Sequence, residues 1–81
     1  MTVRVKLFAS AKELAGGDSV TIDVPANATL ADVREAIVGQ CGALREIMPH
    51  AMWAVNTEYA TEDTRVTDKS EIAIIPPVSG G

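Results

Sequence analysis

Eighty-one residues with 47% hydrophobic content allow one packed core, and a single cysteine and a single histidine exclude a disulfide framework and the multi-ligand sets that hold zinc. A formal charge of -4, with seven basic residues scattered at Arg4, Lys6, Lys12, Arg34, Arg45, Arg65 and Lys69, gives no basic stripe to follow a phosphate backbone, so no nucleic-acid partner is expected. The start, Met1-Thr2-Val3-Arg4-Val5-Lys6, lacks the continuous apolar run of a signal peptide or membrane helix, so a cytoplasmic protein without a membrane partner is expected. A mildly acidic surface suits partners with basic docking faces and equally serves solubility alone.

Residues 2–8 alternate strictly, with Val3, Val5 and Leu7 on one face and Thr2, Arg4, Lys6 and Phe8 on the other, which predicts a half-buried strand. Ala9 to Ala15 is compatible with a helical turn stopped by Gly16-Gly17. Val20, Ile22 and Val24 alternate with Thr21 and Asp23 in a second strand closed by Pro25. From Thr29 the period becomes helical: Leu30, Val33 and Ile37 share a face that reaches toward Cys41, and Thr29 with Asp32 forms a capping pair. Gly39 and Gly42 mark the end of that helix. Leu44, Ile47 and Met48 predict a short second helical turn that Pro49 terminates. Met52 to Val55 reads as a strand, Asn56-Thr57 as a turn, and Glu58 to Thr61 as a brief strand. After a polar segment and a turn at Thr67-Asp68-Lys69-Ser70, the run Ile72-Ala73-Ile74-Ile75 is apolar on both faces and is expected at the centre of the sheet.

This order predicts an α+β domain over residues 1–75, a sheet packed on one main helix in the β-grasp manner, followed by a flexible extended tail over 76–81. One sheet face is then left without a helix. If Val3, Val5, Leu7, Ile72 and Ile74 point to the helix, Phe8 and Ile75 point away from it, and Tyr59 is a candidate to join them; an exposed apolar cluster on a small domain often marks a partner site. Pro76 and Pro77 fix φ and remove two donors, so the last strand stops there. The segment Pro76-Pro77-Val78-Ser79-Gly80-Gly81 reaches about 19 Å if extended. Gly80 and Gly81 carry no side chain, which lets the backbone enter a narrow channel.

The sequence resembles the small subunit of molybdopterin synthase, within the MoaD and ThiS group of ubiquitin-like β-grasp sulfur carriers. The resemblance covers nearly the whole chain and rests on Leu7-Phe8-Ala9 with Lys12-Glu13-Leu14, on Ala54-Val55-Asn56, on Thr67-Asp68 with Glu71, and above all on Ile74-Ile75-Pro76-Pro77-Val78-Ser79-Gly80-Gly81. It departs from the family pattern at Lys69, where a turn glycine is common, and at Lys12, where an arginine is common. The resemblance implies that an ATP-dependent, E1-like enzyme adenylates the Gly81 carboxylate, that a sulfurtransferase converts it to a thiocarboxylate, and that the tail delivers this sulfur within the large subunit to cyclic pyranopterin monophosphate, building the dithiolene of molybdopterin. It further implies a heterotetramer with two large subunits at its centre, docked through Phe8, Tyr59 and Ile75. No permanently bound cofactor is expected, only a transient AMP ester and thiocarboxylate at Gly81.

The chain shows no Gly-rich phosphate loop and no nucleophile paired with a base, so it is expected to be a sulfur-donating subunit with no catalysis of its own. Cys41 reads as a small apolar residue at a helix end rather than a persulfide acceptor, His50 as a loop residue, and Trp53 as core or rim. Two other functions fit the fold: a ubiquitin-like modifier conjugated through Gly81, and a thiamine-pathway sulfur carrier, which is usually shorter and lacks the Pro-Pro-Val-Ser approach.

Overall fold

The computed structural model describes residues 1–77. Strand β1 (Thr2–Leu7) buries Val3, Val5 and Leu7 and exposes the residues between them, as the alternation predicts. Phe8 leaves the strand and becomes the residue that opens helix α1 (Ala9–Ala15). Gly16 ends α1 in the left-handed region at φ 75, and its N–H, like that of Gly17, donates to the Lys12 carbonyl (3.0 and 3.2 Å). Strand β2 (Ser19–Asp23) then returns antiparallel to β1, with Val5 opposite Val20 and Val3 opposite Ile22.

Helix α2 (Leu30–Gln40) buries Leu30, Val33 and Ile37, residues three and four apart that share one face. The Asp32 carboxylate accepts the Thr29 N–H at 2.9 Å and holds a backbone donor that the helix itself cannot satisfy. Beyond Cys41 come two short 3-10 turns, Gly42–Leu44 and Met48–His50. Pro49 therefore lies inside the second turn instead of terminating a helical segment. Its lack of an N–H costs nothing at the first positions of a helical turn, where no internal acceptor exists. Leu44 and Met48 are buried and close the end of the core.

Strand β3 (Met52–Val55) and strand β4 (Glu58–Ala60) form a hairpin through Asn56 and Thr57, both at positive φ (51 and 69), the geometry that matches sheet twist in a two-residue turn. Asn56 also joins this turn to the last strand: its side-chain oxygen accepts the Glu71 N–H, and its own N–H donates to the Glu71 carbonyl, each at 2.9 Å. Strand β5 (Ile72–Ile75) follows the turn at Thr67–Ser70, where the Thr67 N–H meets Ser70 Oγ at 2.9 Å and Lys69 keeps a negative φ. The lysine thus fits the turn without the freedom of a glycine.

The sheet order is β2-β1-β5-β3-β4, with β1 and β5 parallel at the centre and the other pairs antiparallel. Both helices and the 3-10 turns cover one face, giving the α+β arrangement of a β-grasp domain. Val66, from the polar stretch after β4, is also buried; its N–H donates to the Ala28 carbonyl and ties that stretch to the entry of α2. Ile74, fully buried on the central strand, is expected to cost about 2–5 kcal/mol on replacement by alanine. Asp32→Ala is expected to cost only about 0.5–1 kcal/mol, through the lost cap. Urea denaturation of the two variants checks this ranking.

Candidate functional site

The face of the sheet away from the helices is built by register. Lys6 pairs with Ser19 on β2 and with Ala73 on β5, Ala73 pairs with Ala54 on β3, and Ala54 pairs with Tyr59 on β4, so one row crosses all five strands. The neighbouring row holds Ile75 opposite Met52, with Phe8 just past the end of β1, one residue after Leu7, which pairs with Ile74. Parallel pairing of β1 with β5 therefore sets Phe8 level with Ile75.

Phe8, Tyr59 and Ile75 share the outward face, as expected. Phe8 is 48% exposed and Tyr59 73% exposed, while Ile75 is half-buried between its neighbours. Met52, 51% exposed beside Ile75, belongs to the same surface and was not singled out from the sequence. The signal was available: once Trp53 is assigned to the core, where it is buried, alternation sends Met52 outward. Large apolar side chains exposed on one sheet face cost free energy in water, and on small domains such clusters often mark partner sites.

Pro76 is buried and Pro77 exposed, so the chain leaves the body beside this surface, immediately after Ile75. The predicted tail residues Val78, Ser79, Gly80 and Gly81 lie outside the described residues. Phe8, Ile75 and Met52 stand next to the exit at Pro76.

The other singled-out residues lie elsewhere. Cys41 is half-buried at the end of α2 and packs against the core. His50 is exposed in the second 3-10 turn, and Lys69 sits at the opposite end of β5 from the exit at Pro76. Lys12 pairs with Asp18 at 2.9 Å on the surface. Among the described residues no three histidine, cysteine or carboxylate groups gather to hold a metal ion, and no helix is long and apolar enough to cross a membrane.

Because Tyr59 is mostly in solvent, Tyr59→Ser is expected to change stability by less than about 0.5 kcal/mol. Equal thermal midpoints for this variant and the parent would support a surface reserved for a partner; a loss comparable to that of a core residue would make Tyr59 structural.

Comparison with known proteins gives this surface a context. The ThiS family model matches residues 5–81. A protein of Arabidopsis thaliana named molybdopterin synthase sulfur carrier subunit is 37% identical over 79 residues, spanning 98% of this chain and 82% of its own length. The crystal structure of small archaeal modifier protein 1 from Haloferax volcanii superposes with a TM-score of 0.88 at 34% identity, each chain covered completely. A chain in the complex of subunits 1 and 2 of molybdopterin-converting factor from Helicobacter pylori matches with a TM-score of 0.69 at 27% identity, again over the full length of both. The matched span takes in β1 from Val5 onward, both helices, the hairpin turn and the final strand, and the chain belongs to the ThiS family.

Proposed function

We infer that this chain is the sulfur-carrier subunit of molybdopterin synthase. The observation that carries the reading is the placement of the exit at Pro76-Pro77 directly beside the exposed apolar row of Phe8, Ile75 and Met52. Relatives alike over 98% or more of this chain bear that name, and a complex of the two converting-factor subunits contains a chain of this fold. In this reading the domain is a handle that docks through its sheet face while the segment Val78-Ser79-Gly80-Gly81 enters the partner's cleft.

The chemistry then follows from the end group. A free carboxylate on Gly81 is a poor electrophile, because its negative charge is shared by both oxygens. Transfer of AMP from ATP by an E1-like activating enzyme makes a mixed anhydride whose carbonyl carbon can accept sulfur as AMP departs. A sulfurtransferase supplies that sulfur, leaving a thiocarboxylate on Gly81. Within the large subunit this soft nucleophile delivers sulfur to cyclic pyranopterin monophosphate, and two deliveries complete the dithiolene. The chain contributes the nucleophile and its positioning; acid, base and phosphate contacts come from its partners, in the cytoplasm.

A second reading, a protein modifier joined through Gly81 to lysines, is favoured by the full-length likeness to small archaeal modifier protein 1. Intact mass separates the two. After incubation with the activating enzyme, ATP and a sulfur source, the chain is expected to gain the mass difference between sulfur and oxygen, and deletion of Gly81 is expected to abolish the gain without shifting the thermal midpoint. An unchanged mass in the parent protein would contradict the sulfur-carrier reading, and a ladder of lysine conjugates in its place would establish the modifier.

A further inference from the structure

The charge on the outward sheet face differs from that of the chain as a whole. The protein carries -4 overall, yet its first twelve residues hold Arg4, Lys6 and Lys12 and no acidic residue. Arg4 and Lys6 both project from β1 on the side that carries Phe8, since Val3, Val5 and Leu7 occupy the buried side. Among the described residues Lys6 has neither a hydrogen bond nor an ion pair, and Arg4 makes one side-chain contact, from Nε to Ser19 Oγ at 3.3 Å. Three acids stand near these cations: Asp23, whose carboxylate accepts the Thr2 hydroxyl at 2.6 Å, Glu71, which lines the groove at the start of β5, and Asp18, which shares a pocket with Arg4, Lys6 and Phe8 and is paired with Lys12. None stands in the row of Lys6, which runs Ser19, Lys6, Ala73, Ala54, Tyr59.

That row also has a shape. Ala73 and Ala54 are the small residues between Lys6 on one side and Tyr59 on the other, so the middle of the face is a trough. Arg4, Lys6, Phe8, Ala54, Glu71 and Ala73 line a groove of about 360 Å³ there. A floor of two methyl groups accepts an apolar side chain, and the cationic wall of Arg4 and Lys6 accepts a carboxylate beside it.

We propose that the groove over Ala54 and Ala73 receives a segment of the tail-receiving partner in which an apolar side chain is flanked by carboxylates that reach Lys6 and Arg4. The identity of that partner as the large subunit rests on the function inferred above; the groove, its cations and its continuity with Phe8 do not. Like charge at Arg4 and Lys6 disfavours a basic docking face against this wall of the groove. Carboxylates on the partner would speed its encounter with the face and fix register, while the apolar row supplies burial.

Calorimetric titration of the full chain with the large subunit, at low and at physiological ionic strength, tests the proposal. The double variant Arg4→Glu/Lys6→Glu is expected to bind about tenfold to hundredfold more weakly and to lose most of the salt dependence seen with the parent. Ala73→Leu, which fills the trough without altering charge, is expected to weaken binding at both ionic strengths. Arg45→Glu, a single charge reversal at an exposed site beyond α2, is expected to bind like the parent, whereas the single variant Lys6→Glu, with the same change of charge, is expected to bind more weakly, and thermal midpoints confirm that every variant is folded. Binding of the double variant equal to that of Arg45→Glu overturns the proposal while leaving the sulfur-carrier reading intact. Failure of the parent to bind the large subunit at all contradicts that reading and the proposal with it. Self-association of the free parent that the double variant abolishes would assign the groove to a second copy, and would also overturn the proposal.

Discussion

The parallel pairing of β1 with β5 at the centre of the sheet is the constraint on which the rest depends. It brings the first strand and the last strand of the domain side by side, pointing the same way, so that both end at the same edge of the body. Leu7 opposite Ile74 fixes the level, and one residue further Phe8 and Ile75 stand together just before the chain reaches Pro76. Antiparallel pairing would have sent Phe8 to the far end of β5, beside Lys69, and separated the apolar surface from the exit. The exposed apolar surface and the exit at Pro76 thus lie side by side, a placement produced by topology rather than by any local motif.

Packing explains why that topology leaves one sheet face uncovered. The core uses one side of every strand, closed by Leu30, Val33 and Ile37 of α2 and by Leu44 and Met48 of the 3-10 turns. A domain of this size has too few elements to cover both sides of a five-stranded sheet, so the second face stays in water. Phe8, Met52 and Tyr59 remain about half or more exposed there, whereas Ile74 is fully buried, so changes at Tyr59 and at Ile74 are expected to differ in their effect on stability. The ladder of Lys6, Ala73, Ala54 and Tyr59 gives that face both relief and charge.

Much of this was legible in the sequence, for identifiable reasons. Strict alternation in residues 2–8 placed Phe8 outward, Thr29 with Asp32 marked the start of the main helix, and the unbroken run Ile72 to Ile75 pointed to a central strand. Each of those signals is local and carries its own periodicity. Pro49 was misread because the rule that proline ends a helix does not hold at the first positions of a 3-10 turn. Met52 stayed hidden because Met52 to Val55 is wholly apolar, and alternation cannot be phased until pairing puts Trp53 inside. The cations of the outer face were hidden as well: along the chain they look scattered, and only strand register shows that Arg4 and Lys6 flank a trough made by residues some fifty and seventy positions into the sequence, Ala54 and Ala73.

The central claim is that the sheet face and the exit at Pro76 form one partner surface. Backbone amide chemical shifts recorded during titration with the large subunit address it most directly. The account predicts perturbations concentrated at Phe8, Met52, Ala54, Tyr59, Ala73 and Ile75 and continuing past Pro77, with α2 left unchanged. Perturbations centred on α2 and the 3-10 turns, with Phe8 and Ile75 silent, would contradict it.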